Sequence, residues 1–271
     1  MLSDVTMGQF FPGKSVMHRL DPRIKMCLTV YFIVLIFCSK NFVTLGATIL
    51  MSLLGVVLSK VPLKLYLKSM KPIFIVVFTG VLNLFYGTGD PIFTLGFIHI
   101  TRNGIVNSIM IAVRIVVLIL ISSILTFTTS PTQLTDAIER LLKPLALLHV
   151  PVHEFAMMMT IALRFVPTLL EETEKIMAAQ KARGADMESG GLMQRIKALI
   201  PVLIPLFVSA FRRAFDLATA MESRCYHGGE GRTKMKVLHL SKVDYITLIV
   251  CVLYLAAFIT ANILLPAAIV R

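Results

Sequence analysis

Charge is scarce in this chain, and so are the patterns that enzymes and metal proteins need. Only 15% of the 271 residues are charged, against roughly 25% in a soluble domain. The four cysteines form no C-x-x-C pair and the six histidines show no ligand spacing, so we expect no metal site and no cofactor. No cluster of His, Asp or Glu suggests an active site. Basic and aromatic residues are not interleaved, so nothing favours nucleic acid as a partner.

Long apolar runs are what the chain has instead. Apolar residues make up 56% of it, and the mean hydropathy is +0.82. Uncharged runs of about 18 residues or more are typical of membrane-spanning helices. The sequence therefore predicts an all-α integral membrane protein with about five transmembrane helices. The predicted spans are Met26–Ser39, Phe42–Leu58, Pro72–Gly89, Ile105–Phe127 and Tyr245–Val270.

The basic residues predict an orientation. Lysine and arginine accumulate in the cytoplasmic loops of membrane proteins. With five spans and the N-terminus inside, almost all of the 27 lysines and arginines fall on the inner side. We therefore expect a cytoplasmic N-terminus and an outer C-terminus. The predicted order is a lead-in over residues 1–25, four spans over 26–127, a cytoplasmic coupling domain over 128–243 and a last span over 244–271.

Arg114 is the clearest charge inside a predicted span, and Asn83 and Asn262 are weaker polar candidates. An intramembrane charge costs a few kcal/mol unless it is paired or reaches the interface. We expect a structural partner for Arg114 rather than a transport role.

The stretch GQFFPGKS, Gly8–Ser15, fits the phosphate-loop pattern G-x-x-x-x-G-K-[ST]. Such a loop needs a strand before it and a helix after it, because backbone N–H groups and the helix N-terminus hold the phosphates. The residues before Gly8 are too few and too polar for a central strand, and Pro12 has no N–H to donate. Asp21-Pro22 follows too soon for a long helix. We therefore expect a lead-in at the membrane surface and no ATP site.

Three helices are predicted in the region over residues 128–243. The first begins at Ser130-Pro131-Thr132-Gln133, which has an N-cap, a proline at the first helical position and a capping-box glutamine. It continues with leucines at helical spacing and ends before Pro151. The second runs from about Val152 to Arg183 and the third from about Leu192 to Arg224, where Pro201 and Pro205 are expected to kink or interrupt it.

The apolar halves of the last two helices are not interpreted as spans. If both crossed the membrane, the basic loop from Lys175 to Lys197 would lie outside, against the usual charge distribution. We therefore expect long helices on or just inside the inner face.

These two helices end alike. The first ends in AQKARG, Ala179–Gly184, and the second in AMESRC, Ala220–Cys225, 41 residues later. An arginine in a last turn suits the helix dipole, and Gly184 suits an ordinary left-handed cap. Two ends with the same pattern favour a docking function, because arginine presents five donors in a planar fork and stays charged when partly buried.

These ends resemble those of the transmembrane (T) component of energy-coupling factor (ECF) transporters, a branch of the ABC transporters. The family carries two Ala-Arg-Gly motifs at the ends of two coupling helices. Ala182-Arg183-Gly184 matches the first motif fully, and Ser223-Arg224-Cys225 matches the second at the arginine, with small residues on either side. The stretches His18–Arg23 and Leu163–Pro167 are also similar to the family's, and its N-terminal segment accounts for the false phosphate loop.

The resemblance implies a non-catalytic subunit in the cell membrane of a prokaryote. Two cytoplasmic ATPase subunits of the ATP-binding cassette type would receive Arg183 and Arg224. Their closure would move the coupling helices and reorient a separate small membrane subunit that binds a vitamin or a transition-metal ion. Met157, Met158 and Met159 are candidates for contact with that subunit, because methionine repacks against varied partners; packing against the chain's own spans is the alternative.

Three other functions remain open at this point. A self-contained solute carrier would place polar groups at mid-membrane and usually repeat its spans, whereas this chain has one clear intramembrane arginine. A membrane-embedded enzyme would cluster His, Asp or Glu at span ends. A pore-forming ABC permease subunit would also dock on ATPases, but the paired arginine-tipped helices favour the coupling role.

Overall fold

The computed structural model describes residues 10–71, 74, 76, 78–80, 91–95, 98–148, 150–185, 191–228 and 239–264. The chain divides into two compact units. We call residues 8–137 with 237–271 the membrane unit, and residues 138–236 with 1–7 the tip unit. Each unit is considered by itself below.

Helices dominate the described residues of both units. The elements in chain order are α1 (Val16–Arg19), α2 (Pro22–Cys38), α3 (Phe42–Ser59), α4 (Leu63–Ser69), β1 (Pro91–Leu95), β2 (Ile98–Thr101), α5 (Arg102–Thr128), α6 (Pro131–Leu142), a 3-10 segment (Lys143–Leu148), α7 (Val152–Ala182), α8 (Leu192–Glu222) and α9 (Lys242–Leu264). The two strands form an antiparallel hairpin in which Thr94 pairs with His99. The protein is thus an all-α membrane protein with one short hairpin.

Three predicted spans are confirmed as helices long and apolar enough to cross a membrane, namely α3, α5 over Asn103–Thr128 and α9. Helix α2 has 17 residues and covers the first predicted span. The predicted span Pro72–Gly89 lies largely outside the described residues, of which 74, 76 and 78–80 are helical.

Helix α8 also meets the criterion of length and composition for a membrane span, over Met193–Glu222. Only 6% of its apolar window is buried within the structure. Its placement at the inner face of the membrane stays a prediction.

The core of the membrane unit lies along α5. The ring of Tyr66 meets that of Phe127 edge to face, with centroids 5.1 Å apart, and Val56, Val61 and Leu120 complete the cluster. A second cluster joins α2 to α5. This packing holds α2, α3 and α4 against one long central helix.

Arg114 has a structural partner, as expected from the sequence. Its guanidinium donates to the carbonyl oxygen of the fully buried Ser39, one residue beyond the end of α2. Asn262 donates to the carbonyl of Cys38 at 3.3 Å and accepts from the N–H of Lys40 at 3.5 Å. Both polar side chains therefore hydrogen-bond backbone groups at the end of α2, and Asn83 lies outside the described residues.

The described part of the phosphate-loop match serves local structure. Ser15 caps α1, which has only four residues, and its hydroxyl lies 2.6 Å from Nδ1 of His18. The Nε2 atom of the same ring lies 2.8 Å from the carbonyl oxygen of Phe11. No long helix starts at Ser15, and Gly8 lies outside the described residues.

The predicted capping box at the start of α6 is present. The N–H of Gln133 donates to Oγ of Ser130 at 3.3 Å, and the N–H of Ser130 donates to Oε1 of Gln133 at 3.2 Å. The α-helix ends at Leu142 and tightens into a 3-10 segment, so α-helical spacing as far as Leu148 was wrong. Pro144 has no N–H to donate to the carbonyl of Arg140, which accounts for the change.

Candidate docking site

Helices α7 and α8 form an antiparallel pair within the tip unit. The guanidinium of Arg213 donates to Oε2 of Glu172 at 2.8 Å, and the hydroxyl of Ser209 donates to Oε1 of the same carboxylate. Further along α7, Nε2 of Gln180 donates to the carbonyl of Pro201 at 3.2 Å. The contacts move forward along α7 and backward along α8, so the helices run in opposite directions.

The carboxylate of Glu172 is the electrostatic centre of this pairing. Hydrogen bonds from Ser209 and Arg213 stabilise its ionised form, so they lower the pKa of the Glu172 carboxyl from its usual value. The side chains of Glu172 and Arg213 are 23% and 39% exposed. Partial exposure limits what the ion pair adds to stability to about 1 kcal/mol or less, and its main effect is to set the register of the helices.

The contact with Pro201 has a local cause. Pro205 lies four residues after Pro201 and has no N–H, so the carbonyl of Pro201 lacks its usual helical partner. Gln180 supplies a donor from α7. Of the two expected effects of the prolines, a kink or an interruption, the interruption does not occur, since α8 is continuous over Leu192–Glu222 with both prolines inside it.

An apolar groove of about 250 Å³ lies between the first half of α7 and the second half of α8. Its α7 side is formed by Ile161, Phe165 and Leu169. Small residues repeat every four positions on the α8 side, at Ala210, Ala214 and Ala218. Four-residue spacing places these alanines on one face, where the absence of larger side chains leaves the groove open.

The first predicted tip ends α7 in a complete left-handed cap. Gly184 has φ +87°. Its N–H donates to the carbonyl of Lys181 at 3.0 Å, and the N–H of Ala185 donates to that of Gln180 at 3.0 Å. This pair of bonds defines the Schellman motif. Arg183 is therefore the last residue before the chain reverses.

The second predicted tip has the same geometry without a glycine. Cys225 takes the left-handed position with φ +58°. Its N–H donates to the carbonyl of Glu222 at 2.9 Å, and the N–H of Tyr226 donates to that of Met221 at 3.1 Å. Each bond matches one at the first tip, shifted by 41 residues. Ser223 and Arg224 therefore correspond structurally to Ala182 and Arg183.

Both arginines are exposed at the ends of their helices. Within the described ranges, neither guanidinium makes an ion pair or a side-chain hydrogen bond. Each lies at the negative end of a helix macrodipole, which favours a cation there. The flanking Ala182, Gly184 and Ser223 are small, so both guanidinium groups are accessible to a partner surface.

The two tips are far apart. Arg183 lies eleven residues beyond Glu172, and Arg224 lies eleven beyond Arg213. With a helical rise of about 1.5 Å per residue, each tip is about 16 Å from the contact at Glu172. Because the helices run in opposite directions, the arginines are separated by about 30 Å.

The three methionines lie in the first half of α7, far along the helix from Arg183. Met158 is 58% and Met159 41% exposed, and Met157 is half-buried. Their role in contact with another subunit stays a prediction.

In the described ranges, no three His, Cys, Asp or Glu side chains come together as a metal site would require.

The contacts that pair α7 with α8 were not identified from the sequence. Glu172, Gln180, Ser209 and Arg213 are the side chains that make them. One signal was available, since Ser209 and Arg213 are four residues apart on an otherwise apolar helix and therefore share a face. Nothing in the sequence indicates which residue of α7 meets that face.

Comparison with known proteins gives consistent matches over almost the whole chain. The model of the family described as "CbiQ: Cobalt transport protein" matches residues 13–235. The energy-coupling factor transporter transmembrane protein EcfT of Ruminiclostridium cellulolyticum is 51% identical over 256 residues, which cover 94% of this chain and 96% of the relative. The protein of the same name from Bacillus subtilis is 46% identical over 261 residues, covering 96% and 98%. That of Clostridium kluyveri is 51% identical over 249 residues, covering 91% and 92%.

Proposed function

This chain belongs to the family of energy-coupling factor transporter transmembrane proteins, the T components of ECF transporters, and from that premise we propose that it couples ATPase subunits to substrate uptake. Two cytoplasmic ATP-binding cassette subunits dock on Arg183 and Arg224. Their movement reorients a separate substrate-binding membrane subunit for the uptake of a vitamin or another micronutrient. The chain itself is non-catalytic.

The structural equivalence of the two tips carries this proposal. Gly184 and Cys225 have different side chains but the same left-handed backbone and the same pair of cap hydrogen bonds. An arginine in a last turn also suits the helix dipole, but the same cap with an exposed arginine before it at both sites favours docking on a partner. Two matched guanidinium groups on thin helix ends suit two similar grooves.

The separation of the tips supports two ATPase subunits rather than one. A gap of about 30 Å approaches the diameter of a small domain. One compact ATP-binding domain would not bury both arginines in a single groove. The two tips also point in opposite directions along the helix pair, so each faces a different subunit.

The pairing of α7 with α8 gives a path for mechanical coupling. The contacts of Glu172 and Gln180 join the helices at two positions, so a displacement at one tip moves both helices. The exposed Met158 and Met159 lie on the same α7 helix and are proposed to contact the substrate-binding subunit. Such a contact would pass the displacement on to the bound substrate.

The topology belongs to the same proposal. The chain is a multi-pass membrane protein of bacterial type, and the distribution of lysine and arginine favours a cytoplasmic N-terminus and an outer C-terminus. This orientation puts both tips on the side where ATP is available.

Co-purification tests the proposal directly. The tagged chain is isolated from its native membrane in mild detergent, and its partners are identified by mass spectrometry. We expect two ATPase chains and a small membrane protein, with the ATPases lost from the Arg183→Glu/Arg224→Glu variant. Removing one partner of a buried charge contact typically weakens the free energy of binding by about 2–5 kcal/mol.

A matched variant controls for the reversal of charge. Lys175 and Arg212 are exposed residues near the Glu172–Arg213 contact, far along the helix pair from both tips, and Lys175→Glu/Arg212→Glu should keep the ATPases. Retention of ATPases by the tip variant would refute the docking role. A chain that purifies alone and binds substrate by itself would establish the self-contained carrier.

A further inference from the structure

Four exposed lysines follow the end of a membrane-spanning helix. Lys60 ends α3 in a left-handed conformation with φ 53°. Lys64 and Lys68 are four residues apart in α4 and share a face, and the N–H of Lys71 donates to the carbonyl of Lys68 at 3.3 Å in the next turn. All four side chains are exposed. We call these four residues the lysine stripe.

The opposite face of α4 is fixed against α5, so the lysine stripe cannot turn inward. Tyr66 is 2% exposed, and its hydroxyl lies 2.9 Å from Oγ of Ser59. The hydroxyl of Ser123 donates to that of Ser69 at 3.0 Å. These contacts anchor the middle and the C-terminal end of α4.

The position of α4 along α5 gives its depth in the membrane. Tyr66 meets Phe127, next to the last residue of α5, and Ser69 meets Ser123, five residues before that end. Helix α4 therefore lies within about 8 Å of the end of a membrane-spanning helix. The polar head-group layer on each side of a bilayer has a thickness of about 5–8 Å.

An exposed apolar row runs beside the lysine stripe. Leu63, Leu67 and Phe74 are 69%, 68% and 76% exposed. Leu63 and Leu67 are four residues apart and share a face next to that of Lys64 and Lys68. A helix with lysines on one face and apolar side chains on the next is typical of the membrane interface.

Acidic side chains are missing from the sequence around the lysine stripe. The sequence has no Asp or Glu between Asp21 and Asp90. In the part of the chain that the structure describes, none of the four lysines forms an ion pair. Among the described residues, four positive charges thus face outward without an anionic partner.

We propose that the lysine stripe binds the head groups of anionic phospholipids, while Leu63, Leu67 and Phe74 lie among the acyl chains. The position of α4 near the end of α5 and the neighbouring apolar row favour lipid as the partner. A soluble acidic protein could pair with the lysines, but it would not account for exposed apolar side chains beside them at the depth of the head groups. The site is independent of the proposed coupling function and of the orientation of the chain. It fixes the end of α4 at the interface, so the contact of α4 with α5 depends on lipid charge.

Lipid retention measured by native mass spectrometry tests this site. The full chain in an uncharged detergent is given phosphatidylglycerol and phosphatidylcholine with identical acyl chains. We expect preferential retention of phosphatidylglycerol, reduced by added salt. Replacing all four lysines of the stripe with glutamine should remove the preference. Each lysine should contribute about fivefold to the ratio of retained phosphatidylglycerol to retained phosphatidylcholine.

Two variants separate charge from structure. Replacing the four lysines of the stripe with arginine keeps the charge and should keep the preference. Replacing Lys143, Lys175, Arg195 and Lys197 with glutamine removes the same charge from exposed positions of the tip unit and should also leave it unchanged. Equal retention of both lipids by the unaltered chain would overturn the proposal. An unchanged lipid preference in the glutamine variant would also overturn it, and loss of a soluble subunit when that variant is co-purified from membranes would then assign the stripe to a protein partner.

Discussion

Replacing Cys225 with glycine is expected to stabilise the second tip. Cys225 has φ +58°, a conformation that costs a residue with a side chain about 1–2 kcal/mol. Glycine relieves this strain but loses about 0.5–1 kcal/mol more conformational entropy on folding. The net gain should be about 0.5–1 kcal/mol, which corresponds to a two- to fivefold change in an opening equilibrium.

Amide hydrogen exchange at Tyr226 measures this change at the tip itself. The N–H of Tyr226 donates to the carbonyl of Met221 at 3.1 Å and exchanges only when the cap opens. Cys225→Gly should slow that exchange about two- to fivefold. Ser223→Gly is the matched control, because Ser223 has a helical backbone with φ −63°, and glycine there should speed the exchange.

The first tip should respond in the opposite sense. Gly184 has φ +87°, and among the described residues beyond its two chain neighbours no atom lies within 4 Å of the position that a Cβ would take. Gly184→Ala therefore carries only the backbone cost, and exchange at Ala185 should quicken about two- to fivefold. Slower exchange at Ala185, or faster exchange at Tyr226 in Cys225→Gly, would refute the equivalence of the two caps.

Two further predictions concern buried and partly buried carboxylates. The depressed pKa of Glu172 means that its contribution to stability is present above the unfolded-state pKa, about 4.3, and is lost as the pH falls through the lower folded-state value. Thermal unfolding between about pH 3 and pH 6 should show this loss in the parent and in Glu174→Gln but not in Glu172→Gln. Asp244 is 1% exposed and accepts from the N–H groups of Asp21 at 2.9 Å and Ser241 at 2.6 Å. Asp244→Ala removes the carboxylate that accepts from both N–H groups and should lower the free energy of unfolding by about 1–3 kcal/mol, measured with denaturant; an unchanged midpoint would contradict this.

Local signals in the sequence were sufficient for the helices and the position of the tips. The capping box at Ser130 and the left-handed glycine at Gly184 mark boundaries through hydrogen bonds made within a few residues. Long apolar runs, broken only by Arg114 in α5, likewise predicted α3, α5 and α9, because a membrane span needs about 20 predominantly apolar residues.

Contacts between distant residues could not be predicted in this way. The continuity of α8 through Pro201 and Pro205 depends on a donor from Gln180, which lies in another helix. The left-handed backbone at Cys225 is set by the cap and not by the residue type, since cysteine seldom adopts it. The bond from Arg114 to Ser39 likewise joins residues 75 positions apart, so the sequence indicated the need for a partner but not its identity.

Cross-linking from the two tips tests the central claim most directly. Cys225 is an exposed thiol and can carry a photoactivated cross-linker in its native position. Gly184→Cys offers the equivalent position on the first tip. The exposed Cys27 and Cys38 are replaced with alanine in every variant so that only the tips react.

We predict that each tip alone cross-links to one ATPase subunit in native membranes. The chain with both tip cysteines should form a product that contains one copy of this chain and two ATPase subunits. Cross-links from both tips to a single ATPase subunit, or to lipid and membrane proteins alone, would contradict the account.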